Sequence, residues 1–173
     1  VFEEAEYIVI ESTYGDRTHE EHENIDIQKQ LRDCINRAVS ARGNVIIPSF
    51  ALERSQELLY HLNELFLRKE IPPLTVFLDS PMAIRITEVF KRHADLFDKE
   101  MMQRLRQGNS CFSFENLRIV QSVEESKAIN NIKESSIIIA GSGMVTGGRI
   151  KHHIVHNITR AESTILFVGY QAE

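Results

Sequence analysis

Short apolar runs rich in β-branched residues alternate along the chain with segments of helical periodicity, and this alternation constrains the fold more than any other feature. The strand candidates are residues 7–10, 44–47, 74–78, 117–120, 136–140 and 164–168. Most of these runs are continuously apolar, as in parallel strands that are buried on both faces. We therefore predict an α/β fold, with a mostly parallel sheet, right-handed crossovers and helices on both faces.

The segments between the strand candidates carry helical stripes at residues 27–39, 58–66, 82–97 and 150–158. The first ends at Arg42-Gly43, and the third begins with Ser80 as N-cap and Pro81 as the first helical residue. Cys34 and His93 fall on apolar stripes, so we predict that both are packed in the core.

Composition excludes several classes of protein. With 42% hydrophobic residues, 8 Gly and 4 Pro in 173 residues, the chain can bury enough surface to fold. No apolar run approaches the roughly 20 residues that span a bilayer, so we expect no membrane partner. Its 2 cysteines fit neither a disulfide framework nor a closed zinc site, and we predict a cytoplasmic setting. Because it begins at Val1 and stops soon after an apolar run, we expect a piece of a longer protein.

Charge is unevenly distributed along the chain. The net charge is −5, from 20 basic and 25 acidic residues. Residues 3–26 hold nine acids and one base, whereas residues 135–161 hold three bases, three histidines and no acid. This suits a site that combines acid or metal chemistry with phosphate binding; chance unevenness on solvated faces is the alternative.

Polar or small residues follow four of the strand candidates directly: Glu11, Ser49-Phe50, Asp79-Ser80 and Gly141-Ser142-Gly143. Ligands of parallel α/β sheets bind beyond these carboxyl ends, so we predict a crevice there. For Asp79 and Ser80 we favour the alternative that they are capping and turn residues.

The stretch from Gly141 to Arg149 is a candidate phosphate-binding turn. Its glycines let the backbone approach a ligand, a helix start follows, and Arg149 adds a fork of donors. It is not a dinucleotide-binding fingerprint, because Thr146 stands where the third glycine would be, and it lacks the Lys-Ser/Thr pair of a P-loop.

The histidines do not make a metal site by spacing alone. His19 and His22 lie in a hydrophilic stretch just before a predicted helix, and we interpret this stretch as the solvent-exposed entrance to that helix. His152 and His156 share a helical face at i, i+4, which can bind zinc. Without an acid in that stretch, a surface or sheet-packing role is the preferred interpretation.

Five blocks together resemble the β-CASP group of metallo-β-lactamase-fold nucleases, which includes the mRNA 3′-end processing endonuclease and its bacterial and archaeal relatives. They occur in the order of that family and cover most of the chain: VIESTYGD at 9–16, IPSFALERSQELL at 47–59, LDSPMA at 78–83, SGMVTGGRI at 142–150 and LFVGYQAE at 166–173.

This resemblance implies a Rossmann-like α/β/α cap from a two-domain parent. Residues 1–14 would form the last strand of the metallo-β-lactamase domain and the entry into the cap, 15–162 would form the β-CASP domain, and 163–173 would form a final strand that leads back towards the metallo-β-lactamase domain. The parent would bind two zinc ions and hydrolyse RNA phosphodiester bonds in RNA processing or decay.

The resemblance also implies roles for individual residues. Glu11 would orient a catalytic histidine of the parent. The residues expected to line the roof of an RNA cleft are Ser49, Phe50, Ser142, Gly143, Met144, Gly147, Gly148 and Arg149.

The zinc-binding His-x-His-x-Asp-His motif and the later histidine motifs of the family are absent from this chain. We therefore predict that the chain by itself supplies no zinc ligand and cleaves nothing. Its expected partners are single-stranded RNA and the parent's metallo-β-lactamase domain, with a second copy of the chain as a further candidate.

Three alternatives stay open at the level of sequence. The chain could come from a non-catalytic scaffold relative, from an unrelated Rossmann-like nucleotide-binding protein, or from a relative that acts on DNA. Neither endonucleolytic nor exonucleolytic cutting is favoured by these residues.

Overall fold

The computed structural model describes residues 4–12, 15, 26–97, 99–106 and 110–171. Within these ranges helices and strands alternate almost throughout. In chain order they are α1 (Ile27–Ser40), β1 (Val45–Pro48), α2 (Arg54–Leu67), β2 (Thr75–Asp79), α3 (Pro81–Arg92), a 3-10 turn (Ala94–Leu96), α4 (Lys99–Arg106), β3 (Leu117–Ile119), α5 (Val123–Ile129), β4 (Ser136–Ala140), α6 (Ile150–Asn157) and β5 (Thr164–Ile165).

The strands form one sheet in the order β3-β2-β4-β1-β5, and every pairing is parallel. The central strand β4 pairs with β1 and β2, and Ile138 lies opposite Ile46 on one side and Phe77 on the other. All residues of β1 and β4 are buried. The predicted α/β class and parallel sheet are confirmed.

Apolar side chains cover both faces of the sheet. On one face Val45 and Ile47 belong to the main core cluster, together with buried residues of α1, α2 and α3. On the other face Ile46 packs with Ile150 of α6, while Ile138 packs with Ile129 of α5. The molecule therefore has the three layers expected of an α/β/α domain.

Two helices begin directly after a serine that caps them. Ser80 Oγ accepts from the backbone N–H of Ala83 at 3.3 Å, and Pro81 is the first residue of α3, as predicted. The sequence reading missed α4 and α5. The latter has only 7 residues and begins with a capping box between Ser122 and Glu125, so it is too short to show a period.

Two strand predictions need correction. Residues 7–10 form no strand, and their side chains are 80–99% exposed, with Val9 the most exposed. A continuous apolar run becomes a buried strand only where neighbours flank it, and the rest of the described chain does not cover this one. Of the predicted strand 164–168, only Thr164–Ile165 pairs with β1.

His93 was predicted to be packed, and it is exposed. Because α3 ends at Arg92, His93 no longer follows the apolar stripe. Cys34 is buried, as predicted. The predicted helix entrance at His19 and His22 lies outside the described residues. In the ranges that the structure describes, no helix has the length and apolarity needed to cross a membrane.

Candidate functional site

A crevice of about 530 Å³ opens beyond the carboxyl ends of β1, β2 and β4. Its volume lies within the usual range of ligand pockets, about 300–1,000 Å³. The residues that line it come from the ends of the three strands and the segments that follow them: Ser49, Phe50, Ala51, Asp79, Ser80, Pro81, Met82, Arg85, Gly141, Ser142, Gly143, Gly148 and Arg149.

Topology places the crevice here. The helices that follow β1 and β2 pack on one face of the sheet, and the helix that follows β4, between them, packs on the other face. The connections therefore diverge around β4 and leave a gap, as at the switch points of other open α/β sheets. The predicted crevice thus exists, and most of the predicted roof residues line it.

Phe50 forms one wall of the crevice and fixes the loops beside it. A Cβ at Gly143 would come within 2.5 Å of the Phe50 ring, so any other residue there would force the ring to move. Gln171 Nε2 donates to the Gly143 carbonyl at 2.8 Å. The sequence reading assigned the glycine at 143 to the approach of a ligand, whereas the structure shows that it accommodates the ring of Phe50.

The loop from Gly141 to Arg149 is closed by its own hydrogen bonds. Ser142 Oγ accepts from the Thr146 backbone N–H at 3.1 Å, and the Ser142 N–H donates to the Gly147 carbonyl at 3.1 Å. Gly148 has a φ of +77°, and a Cβ there would lie 2.4 Å from the Gly141 carbonyl oxygen. The glycine at 148 is therefore required by the turn itself.

Asp79, at the end of β2, is the buried anion of the site. Oδ1 accepts from Arg149 Nη1 at 2.6 Å, and Oδ2 accepts from Ser126 Oγ at 2.5 Å. His153 Nε2 lies 2.6 Å from the same Oδ2 and donates to it, because a carboxylate has no proton to give. Asp79 is thus the centre of a bonded cluster rather than the turn residue that the sequence suggested.

Two opposing effects act on the pKa of Asp79. Burial by itself would raise the pKa, while hydrogen bonds from His153, Ser126 and Arg149 lower it. The hydrogen bonds prevail, so the pKa lies below its usual value and Asp79 is an anion at neutral pH.

Arg149 is held in place by this cluster. Its Nη1 binds Asp79 and also the Val120 carbonyl at 3.2 Å, and its Nη2 donates to the Gln121 carbonyl at 2.9 Å. Three of the five N–H donors of a guanidinium are therefore engaged within the protein. Arg149 joins α6 to β2 and to the end of β3, and little of its fork is left for a ligand.

The sequence reading missed His153 and Ser126, although one signal for His153 was present. Arg149 and His153 are four residues apart and so lie on the same side of α6. The sequence of 135–161 contains no acid, so any acidic partner of this pair would come from another element. His152 and His156, singled out by the spacing, are exposed.

Two further residues that the sequence reading missed lie in α3, at the rim of the crevice. Met82 is 65% exposed, and Arg85 is also exposed. Both line the crevice, on the same side of the helix at i, i+3. Within the described part of the chain, Arg85 has no ion-pair partner, so its guanidinium is available to a ligand.

The remaining predicted site residues are placed differently. The Ser49 hydroxyl is 3.0 Å from Ser55 Oγ, so Ser49 lines the crevice with a hydroxyl that is already bonded. Met144 and Gly147 do not line the crevice. Glu11 is exposed on the segment 4–12 and is also not among the lining residues.

The described residues do not fit a zinc site. In these ranges no group of three or more His, Cys, Asp or Glu side chains is arranged to hold a metal ion. The buried Asp79–His153 pair is not an exception, because Arg149 and Ser126 also occupy the carboxylate.

Comparison with known proteins adds to this geometry. The profile of the Beta-Casp domain matches residues 55–173, which is more than half of the chain. The chain belongs to the Beta-Casp domain family. This membership excludes an unrelated Rossmann-like module. In the structure, three of the five resembling blocks (47–59, 78–83 and 142–150) supply residues that line the crevice, and Gln171 of a fourth donates to Gly143.

Two relatives align with nearly all of this β-CASP chain. Ribonuclease TTHA0252 of Thermus thermophilus is 36% identical over 169 residues, which are 98% of this chain and 38% of that protein. Transcription termination factor FttA of Methanocaldococcus jannaschii is 32% identical over 173 residues, 99% of this chain and 27% of that protein. The chain thus spans well under half the length of these relatives.

Proposed function

We propose that this β-CASP domain is the RNA-binding cap of a zinc-dependent ribonuclease that hydrolyses phosphodiester bonds in RNA processing or decay. Its crevice would hold single-stranded RNA over the active site of a partner domain in the same protein. Two findings support the proposal: three of the five resembling blocks meet at one crevice, and a relative that aligns with nearly the whole chain is a named ribonuclease.

The surface of the crevice is the observation that carries the proposal. Phe50 and Met82 present apolar surface, 38% and 65% exposed, and Arg85 adds an unpaired cation beside them. Apolar faces next to a backbone-contacting cation are what single strands bind without sequence preference. The positive charge is local, which explains how a chain of net charge −5 could bind a polyanion.

The proposal divides the work between this domain and the rest of the protein. The zinc-binding His-x-His-x-Asp-His motif is absent from the sequence, and the described residues form no metal site, so in this proposal the two zinc ions are held by residues outside this chain. Glu11 would act as a positioning residue for a histidine of the partner domain. This chain would bind the strand, orient it and cover the reaction site, in the cytoplasm, where its free buried thiols suit reducing conditions.

Cleavage of single-stranded RNA by the full-length protein tests this proposal. Glu11→Gln should lower kcat about 10–100-fold, the usual effect of losing a residue that orients a catalytic group, while KM and RNA affinity stay unchanged. Glu6→Gln, an exposed glutamate on the same segment, is the matched control and should cleave normally. Equal loss of RNA binding and cleavage in Glu11→Gln would contradict the positioning role.

The isolated 173-residue chain provides a second test. It should bind single-stranded RNA and fail to cleave it, with or without added zinc. Cleavage at the rate of the full-length protein, by a preparation shown to contain bound metal, would overturn the assignment of the metal site to another part of the protein.

A second candidate function follows from the other named relative. The similarity to the transcription termination factor FttA makes this domain a candidate part of a termination factor. Release of transcripts from a transcribing RNA polymerase by a protein that does not cut free RNA would favour it.

A further inference from the structure

A second groove lies on the α5–α6 side of the sheet, and it adjoins the crevice through shared residues. Its volume is about 610 Å³. Gly148 and Arg149 line both the groove and the crevice. The polar residues that line the groove include Lys127, Asn130, Asn131, Arg149, His152 and His156.

Helical spacing explains why this groove is basic. On α5, Lys127 and Asn130 share one stripe, and on α6, Arg149, His152 and His156 share another, at i, i+3 and i+7. Among the described residues that line the groove, none is acidic. The stretch 135–161, which contains no acid, supplies the α6 side.

Two acids close to the groove are occupied by the protein itself. Asp79 is fully buried beneath it and is bonded to Arg149, His153 and Ser126. Glu125 of α5 accepts from the backbone N–H groups of Gln121 and Ser122 at 2.8 and 3.0 Å. A third acid, Glu124, is exposed three residues before Lys127 on α5. Lys127 lines the groove, is exposed and forms no ion pair in the described part of the chain.

We infer that this groove binds phosphates of single-stranded RNA that extends past the crevice over Gly148 and Arg149. The inference rests on the proposed function, because it needs RNA in the crevice. Arg149 is paired with Asp79, so Lys127 is the lining cation that favours a polyanion, and the shared residues favour one continuous strand over a separate small ligand. The groove would thereby add length-dependent affinity without reading sequence.

The test compares oligouridines of about 4 and about 12 nucleotides, lengths within the site sizes of single-strand-binding domains. In the full-length protein, Lys127→Glu should weaken binding of the longer strand about 5–10-fold. It should also lower the salt slope of that binding by about 0.7 per lost phosphate contact. The shorter strand, held by the crevice, should bind as it does to the unchanged protein, which also shows that the variant is folded.

Lys151→Glu is the matched control, because it makes the same charge change in the exposed first turn of α6 outside the groove. If both variants weaken the longer strand equally, or neither does, the groove assignment is overturned while the crevice remains. If the unchanged protein binds neither strand, the proposed function fails and this inference fails with it. A loss confined to Lys127→Glu and the longer strand supports the groove.

Discussion

His153 Nε2 lies 2.6 Å from Asp79 Oδ2, and both side chains are fully buried. The contact joins the first turns of α6 to the carboxyl end of β2 across the layer boundary. Arg149, from the same side of α6, binds the other carboxylate oxygen. Together they hold the start of α6 against the sheet, and the loop 141–149 that forms one side of the crevice is fixed between them.

Removal of the Asp79 charge should lower the free energy of unfolding. Asp79→Asn leaves Arg149 and His153 without their anion, and breaking a buried pair in this way costs about 3–5 kcal/mol. Urea denaturation should show this loss in the free energy of unfolding. Asp95→Asn, at an exposed position, should change it by less than about 0.5 kcal/mol.

The same carboxylate should make stability depend on acid pH. Because the folded-state pKa of Asp79 is lowered, its contribution is complete above the unfolded pKa of about 3.9 and is lost as the pH falls through the folded pKa. The difference in unfolding free energy between the unchanged protein and Asp79→Asn should therefore be constant from pH 7 to about pH 5 and shrink below about pH 4. A difference that stays constant down to the lowest pH would contradict the assignment.

Two adjacent glycines should respond in opposite ways to alanine. Gly148→Ala should destabilise the protein by about 1–2 kcal/mol or more, because a positive φ is unfavourable for alanine and its Cβ would meet the Gly141 carbonyl. Gly147→Ala should be tolerated, since no atom lies within 4 Å of the added Cβ. Thermal denaturation of the pair measures the contrast, and equal melting temperatures would show that the loop is not built as described.

The Phe50–Gly143 contact predicts that a change at Phe50 restores stability lost by a change at Gly143. Gly143→Ala should lower both stability and RNA binding, because its methyl group would overlap the Phe50 ring. Adding Phe50→Ala removes the overlap, so the double variant should be more stable than Gly143→Ala alone, and a double-mutant cycle on unfolding free energy would show the coupling. Strictly additive effects would mean that the ring is not the obstacle.

Both cysteines should resist thiol reagents in the folded protein. Burial raises the pKa of the Cys34 thiol and raises that of Cys111 to about 12, so little thiolate is present at neutral pH. Labelling with a chromogenic disulfide at pH 8 should be slow in buffer and complete in urea. Rapid labelling of either thiol in buffer would indicate that its surroundings open.

Local signals predicted the sheet and the placement of the crevice. Continuous apolar runs identified β1, β2, β3 and β4, and the polar residues that follow β1, β2 and β4 do meet at one edge. These features depend on neighbours in sequence and on the rule that parallel strands share an edge. The start of α3 at Ser80-Pro81 was also predictable, because the N-cap and the first helical residue are neighbours in sequence.

Long-range pairing could not be read from sequence in this way. Asp79 and His153 are 74 positions apart, and nothing near either residue identifies the other as its partner. Arg85 was overlooked because the periodicity of α3 identifies only the residues that are buried. The role proposed for Arg85 depends instead on its exposed, unpaired position at the rim of the crevice. The segment 7–10 reads as a strand, but its residues are exposed in this structure because nothing in the described chain covers them.

If single-stranded RNA binds in the crevice, the unpaired guanidinium of Arg85 at its rim should contact the RNA backbone. Fluorescence anisotropy with an oligouridine of about 4 nucleotides should show that Arg85→Ala weakens binding several-fold and lowers the salt slope by about 0.7. Arg92→Ala, an exposed arginine at the opposite end of α3 that does not line the crevice, should leave both unchanged. Unchanged affinity in Arg85→Ala, or equal losses in both variants, would show that RNA does not bind in the crevice.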